Sequence, residues 1–199
     1  MGIQKAGIAD KSDEILFGNF TNFSIIKMAW FCIFDFYDEK GMMMTIVTDF
    51  LMTHDKRRIA IITLNRPDAL NALNLEMVAA IQACLDKWAI DDSVAAVLLC
   101  GAADKAFCAG GDIRGLYHGY NPKIFPNPTA KAFFSTEYAL CKQIKSYTKP
   151  IIVWADGIVM GGGMGLAVAS SHRIVTQTTM MAMPEISIGL FPDAGSSYF

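Results

Sequence analysis

The chain has 199 residues, enough for one substantial domain, and 53% of them are hydrophobic while 18% are charged. A disordered chain is poor in apolar side chains, so this composition excludes disorder as a description of the whole protein. The 17 basic and 19 acidic residues leave a net charge of −2. This balance excludes the general positive field that holds nucleic acid or an anionic membrane surface.

Cysteine content and the N-terminal composition bear on the compartment. The five cysteines are odd in number and too sparse for a disulfide framework, which favours a reducing compartment. The most apolar stretch, residues 25–36, contains Lys27 and Asp35 and is shorter than the roughly 20 residues that cross a bilayer. The first 41 residues carry six acids, which is untypical of a transit peptide. We therefore expect a cytoplasmic protein.

The first 44 residues show no clear periodicity, and we interpret residues 1–44 as an N-terminal extension of unknown role before a core domain at residues 45–199. Residues 59–64 form a branched apolar run that predicts a buried strand. Asn74 then predicts a helix N-cap, because apolar side chains follow at helical spacing. These side chains are Met77, Val78, Ile81, Leu85 and Trp88.

The pattern then repeats along the chain. Residues 94–100 predict a second buried strand, and the proline-rich residues 115–129 predict a surface loop. Residues 131–147 predict a helix, and residues 151–154 another strand. Alternating strands and helices are typical of an α/β fold with mostly parallel strands. The apolar face of the second helix is predicted to carry Phe134, Tyr138, Cys141 and Ile144.

Two glycine clusters each follow a predicted strand. One is the segment 107–112, with Gly110 and Gly111, and the other is the segment 157–165, with Gly161, Gly162 and Gly163. The apolar residues 166–169 follow the second cluster, so its N–H groups are expected at the start of a helix, where a developing negative charge is stabilised. An oxyanion hole is the functional interpretation. Tight turns and close helix packing are the alternative for either cluster alone.

Two carboxylates, Glu185 and Asp193, lie eight residues apart in a mostly apolar segment. Desolvation makes a carboxylate a stronger base, so acid–base catalysis is one interpretation. The other is that Glu185 caps a helix or pairs with a lysine. The pattern alone leaves both open.

Other chemistries have weaker signals. The segment 163–168 has valine where a dinucleotide fingerprint needs its third glycine. Cys108 could serve as a nucleophile beside its glycines, although a buried cysteine is more often a small core residue. His54, His118 and His172 have no partner pattern and are expected to be surface or packed histidines. The cysteine and histidine spacings predict no metal site.

In this order, the motifs resemble those of the crotonase superfamily of coenzyme A thioester enzymes. The segments that carry the resemblance are residues 62–67 and 71–73, then 107–112, then Asp156-Gly157 with 161–163, then Pro184-Glu185. Within the superfamily, residues 108–114 and 183–193 are most similar to the 3-hydroxyisobutyryl-CoA hydrolase subgroup. The resemblance implies an α/β, crotonase-like (ClpP/crotonase) spiral of β-β-α units followed by a C-terminal helical region.

The resemblance also implies roles for individual residues. The backbone N–H groups of Gly111 and Gly162 would form the oxyanion hole, and Glu185 would be the catalytic carboxylate. Asp193 would bind the hydroxyl end of the substrate or assist proton transfer, and Glu137 matches a substrate-contacting position. The substrate would be an acyl-CoA, with no cofactor beyond its coenzyme A and with association between copies of the chain.

Two alternatives stay open. An enoyl-CoA hydratase or isomerase is disfavoured because hydratases carry a second glutamate where this chain has Gly165. A non-catalytic CoA-binding module is the other. The chain ends six residues after Asp193, so we expect the C-terminal helices to be missing. A fragment of this kind would associate through exposed apolar surface and show little activity by itself.

Overall fold

The computed structural model describes residues 44–195 of the chain. These residues form eight strands, which divide into two sheets. The predicted extension at residues 1–44 lies outside the described residues except for Met44. The strands are β1 Ile46–Met52, β2 Arg58–Leu64, β3 Val94–Gly101, β4 Ala106–Cys108, β5 Ile151–Ala155, β6 Ile158–Met160, β7 His172–Val175 and β8 Met180–Ala182.

Four helices connect these strands. They are α1 Leu75–Ala89, α2 Ile113–His118, α3 Pro128–Lys145 and α4 Gly162–Ala169. Short 3₁₀ turns lie at Pro67–Ala69 and Glu185–Ile188. Among the described residues, no helix combines the length and the apolar character that a membrane span needs.

The two sheets are built by successive strand pairs. The larger sheet has the order β1-β2-β3-β5-β7, and the smaller one β4-β6-β8. All neighbours are parallel except β1, which runs antiparallel to β2 with Ile46 opposite Leu64. Each pair β3/β4, β5/β6 and β7/β8 places one strand in each sheet, and helices follow the first two pairs. This arrangement confirms the predicted α/β spiral of β-β-α units.

Helix α1 covers the larger sheet as its periodicity predicts. The Asn74 side chain accepts a hydrogen bond from Met77 N at 2.8 Å, which caps the helix. Lys149 Nζ donates to Trp88 O at 2.6 Å and to Asp91 O at 2.7 Å, so a cation neutralises the carbonyl end. The side chains buried by α1 are the five that were predicted: Met77, Val78, Ile81, Leu85 and Trp88.

The predicted loop at residues 115–129 is partly wrong. The first residues of the predicted loop belong to α2. This helix is capped by Asp112, whose Oδ1 accepts a hydrogen bond from Gly115 N at 3.0 Å. Its last residues open α3, where Pro128 occupies the first turn and Asn127 caps the helix. Proline suits that position because its missing N–H would have no partner there. Only the middle of the predicted loop lacks helix.

The predicted buried face of α3 is also wrong in part. Cys141 and Ile144 are buried, but Tyr138 is 42% exposed and Phe134 is half-buried. The face that packs inward is rotated and includes a carboxylate, Glu137. Its buried members are Phe133, Glu137, Leu140, Cys141 and Ile144.

Candidate active site

The first glycine run follows β4 and pairs with the loop before α1. Leu73 N donates to Gly110 O at 2.8 Å, and Asp112 N donates to Leu73 O at 2.8 Å. Gly110 has φ +114°, a conformation that favours glycine. These bonds flank Gly111 and leave its own N–H unused. Among residues 44–195, the Gly111 N–H has no hydrogen-bond acceptor.

The second glycine run follows β6 and opens α4. Gly162 is the first helical residue, so its N–H has no intrahelical acceptor, nor any other acceptor within the described part of the chain. A Cβ added to Gly110 would lie 3.7 Å from Gly162 N, and one added to Gly161 would lie 3.3 Å from Gly110 Cα. The two glycine runs therefore pack side by side.

Glu137 of α3 lies on the second run. Its side chain is 2% exposed, and Oε1 has no hydrogen-bond partner among the described residues. A Cβ on Gly162 would overlap that same oxygen. The pKa of Glu137 is raised to about 7, mainly by burial and also by the nearby charges of Asp193 and Glu185.

Glu185 reaches the same place from the 3₁₀ turn that follows Pro184. The residue is 9% exposed, and its Oε1 lies 3.0 Å from the position of a Cβ on Gly161. Its Oε2 is buried and has no hydrogen-bond partner in the described part of the chain. No lysine pairs with Glu185 among residues 44–195, and no side-chain cap is formed by it. Neither the helix cap nor the lysine pair that the sequence left open for Glu185 is therefore observed among residues 44–195.

Asp193 joins the cluster through a tyrosine that the sequence assigned to the apolar face of a helix and not to the site. Tyr138 Oη donates to Asp193 Oδ2 at 2.5 Å. Burial raises the pKa of Tyr138, and the hydrogen bond to Asp193 and its charge act in the same direction. Tyr138 therefore serves as a hydrogen-bond donor. Its position directly after Glu137 was the only signal in the sequence, because the two partners are 55 residues apart.

The position of Gly165 is closed by packing. A Cβ there would lie 2.5 Å from Ala194 Cβ and 3.4 Å from Cys141 Sγ. Ala194, which directly follows Asp193, is 2% exposed. A second glutamate at position 165 has no room unless the segment that carries Asp193 moves away.

Cys108 lies at the first glycine run as a core residue, where Gly110 N donates to its Sγ at 3.5 Å. Cys108 is fully buried, and burial raises the pKa of its thiol to about 12, so no thiolate forms near neutral pH. His54, His118 and His172 are exposed, as expected. In the described residues, no three histidine, cysteine, aspartate or glutamate side chains are arranged so that they could hold a metal ion.

Glutamine at position 137 is expected to change how stability depends on pH. The folded pKa of Glu137 is about 7 against an ordinary 4.5. The neutral, buried carboxyl of Glu137 therefore makes its full contribution to the free energy of unfolding below pH 4.5. This contribution is lost as the pH rises through 7. The difference in free energy of unfolding between Glu137→Gln and the unaltered chain should therefore shift in favour of the variant from acidic to alkaline pH. This shift should be at most about 3 kcal/mol.

Urea unfolding on either side of neutrality measures this gain. Glu76→Gln is the matched control, because Glu76 is an exposed glutamate on α1. The control should show the pH dependence of the unaltered chain. An identical dependence in Glu137→Gln would contradict the assignment of a raised pKa to Glu137.

Known proteins resemble this chain in sequence. A family model described as enoyl-CoA hydratase/isomerase matches residues 59–199. The mitochondrial 3-hydroxyisobutyryl-CoA hydrolase of Danio rerio is 46% identical over 142 residues, which cover 71% of this chain and 36% of that protein. The enzyme of the same name from Homo sapiens is 42% identical over 155 residues, covering 78% and 39% respectively. The chain thus spans little more than a third of the length of these curated relatives.

Solved structures give the same picture of the fold. A carnitinyl-CoA dehydratase from Mycobacterium thermoresistibile has a TM-score of 0.70 at 42% identity and is matched over 77% of this chain and 43% of its own. An enoyl-CoA hydratase from Bacillus anthracis has a TM-score of 0.69 at 27% identity, over 78% and 56%. The resemblance stated from the motifs is confirmed.

The prediction of a cytoplasmic protein is wrong. The 3-hydroxyisobutyryl-CoA hydrolases to which the chain is similar are named as mitochondrial, which points to mitochondria. That prediction rested on the sparse cysteines and on the composition of residues 1–41, which precede the matched range 59–199.

Proposed function

The chain belongs to the enoyl-CoA hydratase/isomerase family, and from that premise we propose that it hydrolyses 3-hydroxyisobutyryl-CoA to 3-hydroxyisobutyrate and coenzyme A. One observation carries the proposal. Glu185, whose buried Oε2 has no partner among residues 44–195, lies beside Gly161, and the N–H of the next residue, Gly162, has no acceptor in the same range. The names of the relatives support the choice of a thioester as substrate. No cofactor beyond the coenzyme A of the substrate is needed.

The two amides that have no acceptor in the described part of the chain are the proposed oxyanion hole. The N–H groups of Gly111 and Gly162 would donate to the thioester oxygen, which becomes negatively charged when the carbonyl carbon turns tetrahedral. The helix that begins at Gly162 adds the positive end of its dipole. Losing one such donor typically costs about 2.7–4 kcal/mol of transition-state stabilisation.

Glu185 is the proposed catalytic carboxylate. A water molecule attacks the carbonyl carbon while Glu185 accepts its proton. The C–S bond then breaks, and the coenzyme A sulfur receives the proton from Glu185, which regenerates the carboxylate. The buried Oε2 of Glu185 has no hydrogen-bond partner among residues 44–195, so this oxygen is available to accept a hydrogen bond and then the proton from water.

Asp193 and Glu137 are the proposed contacts for the hydroxylated acyl group. Tyr138 donates to one oxygen of Asp193 at 2.5 Å, and the other oxygen accepts no hydrogen bond from residues 44–195. That oxygen can accept one from the 3-hydroxyl of the substrate. Glu137, with a pKa of about 7, can donate a hydrogen bond when neutral and accept one when ionised.

Hydration of an enoyl-CoA is the second candidate function, and the names of the solved relatives support it. Two-carboxylate hydration in this family uses a second glutamate placed shortly after the second glycine run. At Gly165, the matching position, Ala194 fills the space. The packing of Gly165 therefore favours hydrolysis over hydration.

Purified protein incubated separately with 3-hydroxyisobutyryl-CoA and crotonyl-CoA tests the proposal. The low activity expected of this chain stays a prediction, so the assay uses protein at high concentration. Free thiol should rise with the first substrate, while the enoyl absorbance of the second should stay constant. Loss of enoyl absorbance without thiol release would refute hydrolysis in favour of hydration. Binding of coenzyme A with neither substrate consumed would favour the non-catalytic binding module.

A further inference from the structure

An arginine bridges the two segments that hold Gly111. Arg66 Nη1 donates to Ala72 O at 2.6 Å, and Nη2 donates to Asp112 Oδ2 at 2.8 Å. Ala72 directly precedes Leu73, and Asp112 directly follows Gly111. Leu73 and Gly111 pair with each other in a parallel β-bridge. One guanidinium group therefore ties together both sides of the bridge beside the Gly111 N–H, which has no acceptor among residues 44–195.

The loop that carries Leu73 depends on such side-chain bonds for its shape. Leu70 and Asn71 have φ of 51° and 55°, a conformation that costs energy in residues other than glycine. The Asn71 side chain accepts from Arg66 N at 3.0 Å and donates to Ala102 O and Ala106 O, each at 2.9 Å. The loop is thereby fixed to the segment just before and within β4.

The ion pair itself is partly shielded from water. The side chains of Arg66 and Asp112 are 24% and 22% exposed. Burial opposes ionisation of Asp112, but its bond from Gly115 N and the Arg66 guanidinium outweigh that effect and lower its pKa. A planar guanidinium can serve the carbonyl and the carboxylate at once, whereas a lysine ammonium provides a single point of charge.

We propose that Arg66, acting through Asp112 and Ala72, is a positioning residue that fixes the direction of the Gly111 N–H toward the thioester oxygen. The inference rests on the proposed function, because the Gly111 N–H is one of the two amides of the proposed oxyanion hole. It predicts that breaking the ion pair weakens polarisation of the substrate carbonyl more than it weakens substrate binding.

Four variants test this role. Arg66→Gln removes both contacts, and Arg66→Lys keeps only the charge. Asp112→Asn removes the ion pair and retains a good N-cap for α2, and the double variant Arg66→Gln/Asp112→Asn tests coupling. The control is Arg57→Gln, which breaks the exposed ion pair between Arg57 and Asp55 at 2.7 Å.

Turnover of 3-hydroxyisobutyryl-CoA is the first measurement. Arg66→Gln and Asp112→Asn should each lower kcat by about 10- to 100-fold with little change in KM, because a small misplacement of a catalytic group is enough for such a loss. The double variant should be no worse than the poorer single one, as expected for two partners in one interaction. Arg66→Lys should be intermediate, and Arg57→Gln should match the unaltered chain.

The second measurement does not need turnover. A ketone analogue of 3-hydroxyisobutyryl-CoA, with CH₂ in place of sulfur and ¹³C at the carbonyl, reports polarisation by a downfield carbonyl resonance when bound. Arg66→Gln should bind the analogue with a smaller downfield shift. Hydrogen exchange of the Leu73 and Asp112 amides in the free protein should be faster in Arg66→Gln and unchanged in Arg57→Gln.

The outcomes separate this inference from the proposed function. A downfield shift in the unaltered chain without any thiol release would refute the reaction and leave the role of Arg66 standing. Arg66→Gln with the carbonyl shift and amide exchange of the control would overturn the role of Arg66, whatever its turnover. A loss of kcat in Arg66→Lys explained wholly by a lower melting temperature, with an unchanged carbonyl shift, would also overturn it.

Discussion

Replacing Glu185 by glutamine is expected to lower kcat for 3-hydroxyisobutyryl-CoA by about 10²–10⁴-fold, the usual contribution of a positioned proton acceptor. The amide keeps the size of the side chain but neither accepts the proton of water nor attacks a carbonyl. Because Glu185 Oε2 has no partner within the described part of the chain, the substitution breaks no hydrogen bond there. Binding of coenzyme A and the melting temperature should therefore change little.

Glu76→Gln is the matched control, since Glu76 lies exposed in the first turn of α1. Steady-state kinetics of the two variants and the unaltered chain, each with a thermal melt, make the comparison. Turnover by Glu185→Gln equal to that of the control would remove Glu185 from the reaction.

Replacing Gly162 by alanine is the second change with a large expected effect. The new methyl group would overlap Glu137 Oε1 and lie 3.2 Å from Leu73 Cδ1. To make room, either Glu137 or the start of α4 must move, and each movement disturbs an amide or a carboxylate of the site. We expect kcat to fall by about 100-fold, because a displacement of about 1 Å can cost that much.

Gly189→Asn is the control for the added side chain. Gly189 has φ +77°, and a Cβ there meets no atom within 4 Å, while asparagine tolerates this conformation better than most residues. Its turnover should fall much less than that of Gly162→Ala, because the added Cβ meets no atom within 4 Å and only the positive φ introduces strain. A Gly162→Ala variant with turnover equal to that of Gly189→Asn would contradict the role given to Gly162.

Strong local patterns made part of this structure predictable. Helix α1 follows from five apolar side chains at helical spacing and a capping asparagine. The start of α4 follows from glycines between a strand and an apolar run. The residues that produce each signal lie close together in the chain, so local preferences decide where each helix forms.

Features that depend on distant contacts were not predictable in the same way. Strands β4, β6 and β8 have three residues each, too few to show an alternating pattern. The inward turn of Glu137 is decided by the packing of α3 against the glycine runs, and a carboxylate at a buried position breaks the apolar periodicity that predicts a face. The hydrogen bond between Tyr138 and Asp193 joins residues 55 apart. Only the resemblance to a family pointed to Glu137 as a site residue, whereas the apolar segment around Glu185 and Asp193 had already suggested Asp193.

The position of the oxygen that water supplies tests the central claim most directly. The protein is incubated in H₂¹⁸O with 3-hydroxyisobutyryl-CoA and, separately, with crotonyl-CoA, and the products are analysed by mass spectrometry. Hydrolysis predicts one ¹⁸O atom in the carboxylate of 3-hydroxyisobutyrate, an equal amount of free coenzyme A, and unlabelled crotonyl-CoA. An ¹⁸O atom in the C3 hydroxyl of an intact acyl-CoA, without free coenzyme A, would contradict the account.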